Sequence, residues 1–230
     1  MAQGRTEGTV ERMTLWQRIE HMVLMVTILL LVLSGLALAY HSSAPGRILI
    51  RCMGGPEGRY LLHRGAAVVL LALGAAHLVA LGISPRRRAD FRDALPTWRD
   101  VRDSWCRFHF RVTGGGEMPK YGRYTPMQKL QYLGIFLGCV IMTLSGLVLW
   151  SKAAALGAFP KFVFDLVLLI HSKQAQLIFI LFILWHLYDV HVAEGNFPMN
   201  PSWLTGRMRE DLFKRQHPAA WESLQKEKER

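Results

Sequence analysis

Two stretches of the chain carry a histidine at each end of a largely apolar run: HRGAAVVLLALGAAH, His63 to His77, and HSKQAQLIFILFILWH, His171 to His186. Imidazole can ligate a metal, carry a proton or simply hydrogen-bond. The spacings are fourteen and fifteen residues. At about 100° per residue, fourteen steps stop about 40° short of four turns and fifteen run about 60° past them. On helices, both imidazoles of a pair therefore lie roughly on one side, about 21–22 Å apart along the axis. If the two helices run the same way through one bundle, His63 and His171 share one level, and His77 and His186 share another. Two facing imidazoles at each of two levels suit a pair of stacked haems, with each iron held axially by one nitrogen from each helix. Zinc fits poorly, because neither level has a cysteine or carboxylate to complete a tetrahedron. Histidines that only hydrogen-bond between helices, or that form a proton path, are the alternatives. His21 adds a third imidazole at the second level, where two axial positions exist. His41, His109, His191 and His217 fall in loops, in the tail or at a helix edge, and no role is assigned to them.

The elements that would position these residues follow from how the chain sorts its composition. It has 230 residues, 51% of them hydrophobic, yet a net charge of +11. The two kinds of residue are segregated into blocks. Four apolar blocks, at about 15–40, 60–82, 127–150 and 162–190, each have roughly the 20 residues that cross a bilayer. The expected fold is all-α: an integral membrane four-helix bundle over residues 10–195, with a cytoplasmic loop at 83–123 and a short helical cytoplasmic tail at 196–230. Helix one has a rival reading as a signal peptide, with Arg5, Arg12 and Arg18 ahead of it and Ala37-Leu38-Ala39 behind. An internal repeat argues for a retained helix. TLWQRIEHMVLMVTILLLVLSGLAL (Thr14 to Leu38) aligns without gaps on TPMQKLQYLGIFLGCVIMTLSGLVL (Thr125 to Leu149), deep in the chain. The glycines Gly35 and Gly146 recur in both copies. They would admit a flat macrocycle, or equally allow close helix packing.

Basic residues crowd the loop between helices two and three (Arg86, Arg87, Arg88, Arg92, Arg99, Arg102, Arg107, Arg111) and the tail (Arg207, Arg209, Lys214, Arg215, and on to Arg230). The other loops hold few. The positive-inside rule then places both termini and the long loop in the cytoplasm, as a multi-pass protein with N-in and C-in. The charge is accounted for by topology, and no nucleic-acid partner is expected. In the long loop, Phe91, Leu95, Trp98, Val101, Trp105 and Phe108 recur at three- and four-residue steps. The spacing predicts an amphipathic helix, either lying on the membrane surface or packed on the domain, with Pro96 against both. TGGGEMP (Thr113 to Pro119) is a turn signal before helix three. Cys52, Cys106 and Cys139 are too scattered for a disulfide framework, and there is no C-x-x-C-H for covalent haem.

RIEHMVLMVTILLLVLSGLAL resembles the first helix of bacterial di-haem cytochrome b subunits, the gamma subunit of membrane-bound formate dehydrogenase and the cytochrome b of nickel-iron hydrogenases. That family shows R-x-x-H and then an apolar run ending in Gly-Leu. YLLHRGAAVV resembles its second helix, and the two histidines of helix four resemble its fourth; the likeness covers about residues 10 to 210. The resemblance implies two non-covalent haem b groups in a bacterial inner membrane. The outer haem would be held by His63 and His171, and the inner by His21 and His186. It implies electron transfer between a periplasmic redox subunit, an iron–sulfur protein or a multihaem cytochrome c, and a menaquinone or ubiquinone pool. The quinone would lie beside the inner haem, with Arg18, Gln128, Gln131, Tyr132 and Asp189 as candidates. No catalytic residue of its own is expected, since substrate chemistry would belong to other subunits. The sequence departs from the family at His77, which resembles instead the four-histidine arrangement of the respiratory bc-complex cytochromes. A stand-alone haem quinol oxidoreductase feeding a multihaem cytochrome c, and a histidine-based proton-coupled transporter or anchor, are the alternatives.

Overall fold

In a computed structural model, residues 8–193 and 195–229 are described. Arg5 and Arg230 lie outside them. Among the described residues, four helices are long and apolar enough to cross a membrane: α1 (Leu15–Ala39), α3 (Gly55–Ile83), α6 (Pro126–Trp150) and α8 (Lys161–Leu181), the last continued by two π-helical turns, Phe182–His186 and Tyr188–Val192. Between them lie the short α2 (Ala44–Cys52) and α7 (Lys152–Ala158), and the loop helices α4 (Pro85–Ala94) and α5 (Trp98–Thr113). Helices α9 (Ser202–Thr205), α10 (Glu210–Gln216) and α11 (Pro218–Lys228) form the tail. All three cysteines are free thiols. Helix α3 starts at Gly55, ahead of the apolar edge near residue 60. Pro56 suits a first turn, and Glu57 faces the positive end of the helix dipole.

The chain forms two compact units. The membrane unit comprises Ile19–Ala80 and Ile135–Asp189. The second comprises the chain through Arg18, Leu81–Gly134 and Val190 onward. In the second unit the amphipathic segment expected as one helix is two. Leu95 takes an extended conformation (ψ 137°) that ends α4, as the residue before Pro96 must. Helix α5 then starts afresh, with the Thr97 amide donating to Asp100 Oδ2 at 2.6 Å. One side of α5 is tied down by Lys129 donating to Asp100 at 3.0 Å. The apolar stripe is exposed, with Trp98 87% and Trp105 66% accessible.

The tail is folded onto the N-terminal segment. Strand β1 (Thr9–Glu11) pairs antiparallel with β2 (Arg207–Arg209), setting Val10 opposite Met208. Met208, Leu212 and Phe213 form a small core joined by Val10, Ala220, Trp221 and Leu224. This strand pair is the exception to the all-α expectation. Three-residue strands are too short to show period-two alternation. His217 is completely buried and donates from Nδ1 to the Gly122 carbonyl at 2.8 Å. Burial, with Arg12 and Arg123 adding repulsion, pushes its pKa down to about 4.

The lowered pKa predicts acid sensitivity of the tail. The unfolded imidazole protonates below about 6.5 and the buried one resists until about 4. The stabilisation is therefore complete above pH 6.5 and lost as pH falls from there towards 4, by at most on the order of 3 kcal/mol. Hydrogen exchange of α10 and α11 amides, corrected for intrinsic rates, should accelerate over that window. In His217→Asn, which keeps a donor and loses the titration, the acceleration should disappear. An unchanged pH dependence in the variant would contradict the assignment.

Candidate functional site

The membrane unit brings four of the five candidate imidazoles together as two pairs. His63 of α3 faces His171 of α8 with ring centroids 6.5 Å apart. His21 of α1 faces His186 with centroids 6.3 Å apart. An iron between two imidazoles can be tested against these values. Metal–nitrogen bonds of about 2 Å and a ring radius of about 1.2 Å on each side put the centroids roughly 6.4 Å apart. Both pairs fit an axially ligated haem iron. His77 is placed with Nδ1 3.9 Å from Glu20 Oε2, the residue beside His21.

The π-helical turn resolves the unequal spacings. The fifteen-residue interval of α8 passes through Phe182–His186, where i→i+5 bonding takes up about one residue more than an α turn. The extra residue brings His186 back towards the face of His171. Phe182 stacks on His186, with centroids 5.3 Å apart and planes 22° from parallel.

At the His63–His171 pair the internal repeat reappears as hydrogen-bond geometry. Ser34 Oγ lies 2.8 Å from His63 Nδ1, and Ser145 Oγ lies 2.8 Å from His171 Nδ1. Ser34 and Ser145 are the same position of the two repeat copies. The next residue repeats as well: a Cβ added at Gly35 would lie 3.8 Å from His63 Cε1, and one at Gly146 only 3.3 Å from His171 Cε1. Gly138 serves plain helix packing, since a Cβ there would meet Ile178 at 3.1 Å. Sequence reasoning kept the glycines of Leu-Ser-Gly-Leu and passed over the serines. The repeat was the signal that could have found them. It also missed Arg59, one turn before His63, whose Nη1 reaches the Ser34 carbonyl at 3.4 Å. Arg64 is held between the Tyr60 and Trp150 rings, 4.3 and 4.4 Å from their centroids, and donates to the Trp150 carbonyl.

The quinone candidates divide by environment. In the second unit, Gln128 is occupied structurally, accepting from the Thr125 amide at 3.1 Å and from Arg12 at 3.2 Å. Its repeat counterpart Gln17 likewise accepts from the Thr14 amide at 2.9 Å. Arg18 donates to the Leu204 carbonyl. Tyr132 meets Phe91 edge-on at 6.0 Å. Gln131 has a buried amide nitrogen with no hydrogen-bond partner among the described residues. Asp189 belongs to the membrane unit and lies in the second π-helical turn.

No curated protein matches the chain. Residues 12–195, which span all four apolar helices and every candidate histidine pair, match the family model described as prokaryotic cytochrome b561. The chain therefore belongs to the prokaryotic cytochrome b561 family and is a membrane haem b electron-transfer protein.

Proposed function

We propose that the chain is a di-haem cytochrome b subunit that carries electrons across the bacterial inner membrane between a periplasmic redox partner and the quinone pool. His63 and His171 hold the outer haem, and His21 and His186 the inner. The observation that carries this is the pair of imidazole–imidazole separations, 6.5 and 6.3 Å, each at the distance one axially ligated iron requires. The haem iron supplies a one-electron couple, which the protein must hold low-spin and shield from water. The chain's own groups would do the holding: imidazole nitrogens would bind, serine hydroxyls orient the rings, and Gly146 leaves room beside His171. His171 in α8 and His186 in the π-helical turn that continues it are separated by roughly 20 Å of helix rise, most of a hydrocarbon core.

For the quinone, Gln131 is the strongest of the candidates, since a buried amide donor gains most from a carbonyl oxygen. Tyr132, its neighbour, offers a hydroxyl and an aromatic face. Arg18 and Gln128 are already engaged, with the Leu204 carbonyl and with Thr125 and Arg12. An orientation with both termini inside is supported by the arginines of the 83–123 loop and of the tail.

The test is spectroscopic. Purified protein from haem-replete cells should carry two b-type haems per chain, all extractable into acidified acetone, and its reduced spectrum should be oxidised by a quinone analogue. One haem per chain, or haem that stays with the protein after extraction, would overturn this assignment.

A further inference from the structure

We propose that Ser34 and Ser145 are positioning residues of the outer haem, fixing the tautomer of both axial histidines and thereby lowering the potential of that iron. The proposal rests on the outer pairing given above.

A serine hydroxyl has one proton and two lone pairs. Ser34 directs its proton back to the Leu30 carbonyl at 2.6 Å, and Ser145 to the Ile141 carbonyl at 2.7 Å. With that proton committed, the oxygen meets the imidazole at 2.8 Å with a lone pair. Nδ1 must therefore be the donor. The proton is held off Nε2, whose lone pair is left for the metal. Ser34 is 0% and Ser145 8% accessible, so both hydroxyls are themselves shielded from water. The two contacts are alike in distance, in back-bonding pattern and in repeat position.

An acceptor on Nδ1–H raises the basicity of the ligating nitrogen. A more basic ligand favours ferric over ferrous iron. The carbonyl bond to each serine polarises the hydroxyl oxygen and strengthens the effect. Removing either hydroxyl should therefore raise the midpoint potential of one haem. A bond worth about 1 kcal/mol more in the ferric state corresponds to an about fivefold change in the ratio of reduced to oxidised haem at a fixed poise.

The experiment is an optical redox titration of the purified full chain, with low-temperature EPR, for Ser34→Ala, Ser145→Ala, the double variant and Ser145→Thr. Alanine is smaller and a better helix former, so the bundle should persist. Both single variants should move the same haem wave upward, the double variant should move it further, and the second wave should stay in place. Ser145→Thr, which keeps the hydroxyl, should keep the native potential and g-values. If the waves do not move, if each serine moves a different wave, or if the threonine variant behaves like alanine, the proposal fails. If Ser145→Ala loses the outer haem while Ser145→Thr retains it, the hydroxyl's positioning role stands. If His63→Ala and His171→Ala both keep two low-spin haems, it is the outer pairing itself that fails, whatever the serine variants do.

Discussion

Alanine at His63 or at His171 is expected to remove one haem of two and to leave the other low-spin. Each substitution deletes one of two axial nitrogens and opens a cavity in a packed helical layer, at a cost of a few kcal/mol in that region. The remaining imidazole is still held by its serine at 2.8 Å, so it stays oriented but has no partner across the iron. On the proposed pairing the same one of the two haems should be lost from either side, because the two rings face each other with centroids 6.5 Å apart. The inner pair draws on α1 and the π-helical turn and should keep its spectrum. The haem-to-chain ratio from a pyridine haemochromogen assay, together with the EPR signals that persist, checks this. Two haems at full occupancy in either variant would dissolve the pair, and loss of both would mean that the bundle depends on the outer site to fold.

The four spans were legible in the sequence because each is a block of about the length a bilayer demands, bounded by Arg, Gly and Pro. Edges were less legible where the helix outruns its apolar stretch, as at Gly55–Glu57. Leu95 and Pro96 show a local rule acting against a longer pattern. The apolar steps from Phe91 to Phe108 run straight through a position where the backbone must be extended. The β1–β2 pairing could not be read at all, because it joins Val10 to Met208 across nearly the whole chain through three-residue strands. At the site, the facing of His63 and His171 was legible as spacing, since 3.6-residue periodicity converts residue number into face and depth. What spacing could not supply was lateral position. Whether His21 or His77 approaches His186 depends on how α1, α3 and α8 sit around one another, which no single helix encodes. The serines were visible as a repeat and invisible as ligand partners for the same reason.

The inner site gives the second large effect. His21→Ala should abolish the inner haem or turn it high-spin, whereas His77→Ala should leave both haems low-spin. Helix symmetry argues the other way. His77 occupies on α3 the place that His186 occupies on α8 once the π-helical turn has absorbed its additional residue. The ring distances support His21 as the proposed ligand. Its ring lies 6.3 Å from that of His186, within 0.2 Å of the separation at the outer pair (6.5 − 6.3). His77 instead sets its Nδ1 3.9 Å from the Glu20 carboxylate. A histidine beside a carboxylate inside an apolar span is expensive to keep without a use, and such groups mark ion or proton pathways. His77→Ala should thus spare the haem spectrum and slow the reaction with quinone, while His21→Ala removes the spectrum itself. The two variants, with haem counted per chain and quinol-driven haem reduction followed in membranes, separate the roles. If His77→Ala alone removed the inner haem, the ligand would come from α3, and His21 would be the imidazole beside the quinone.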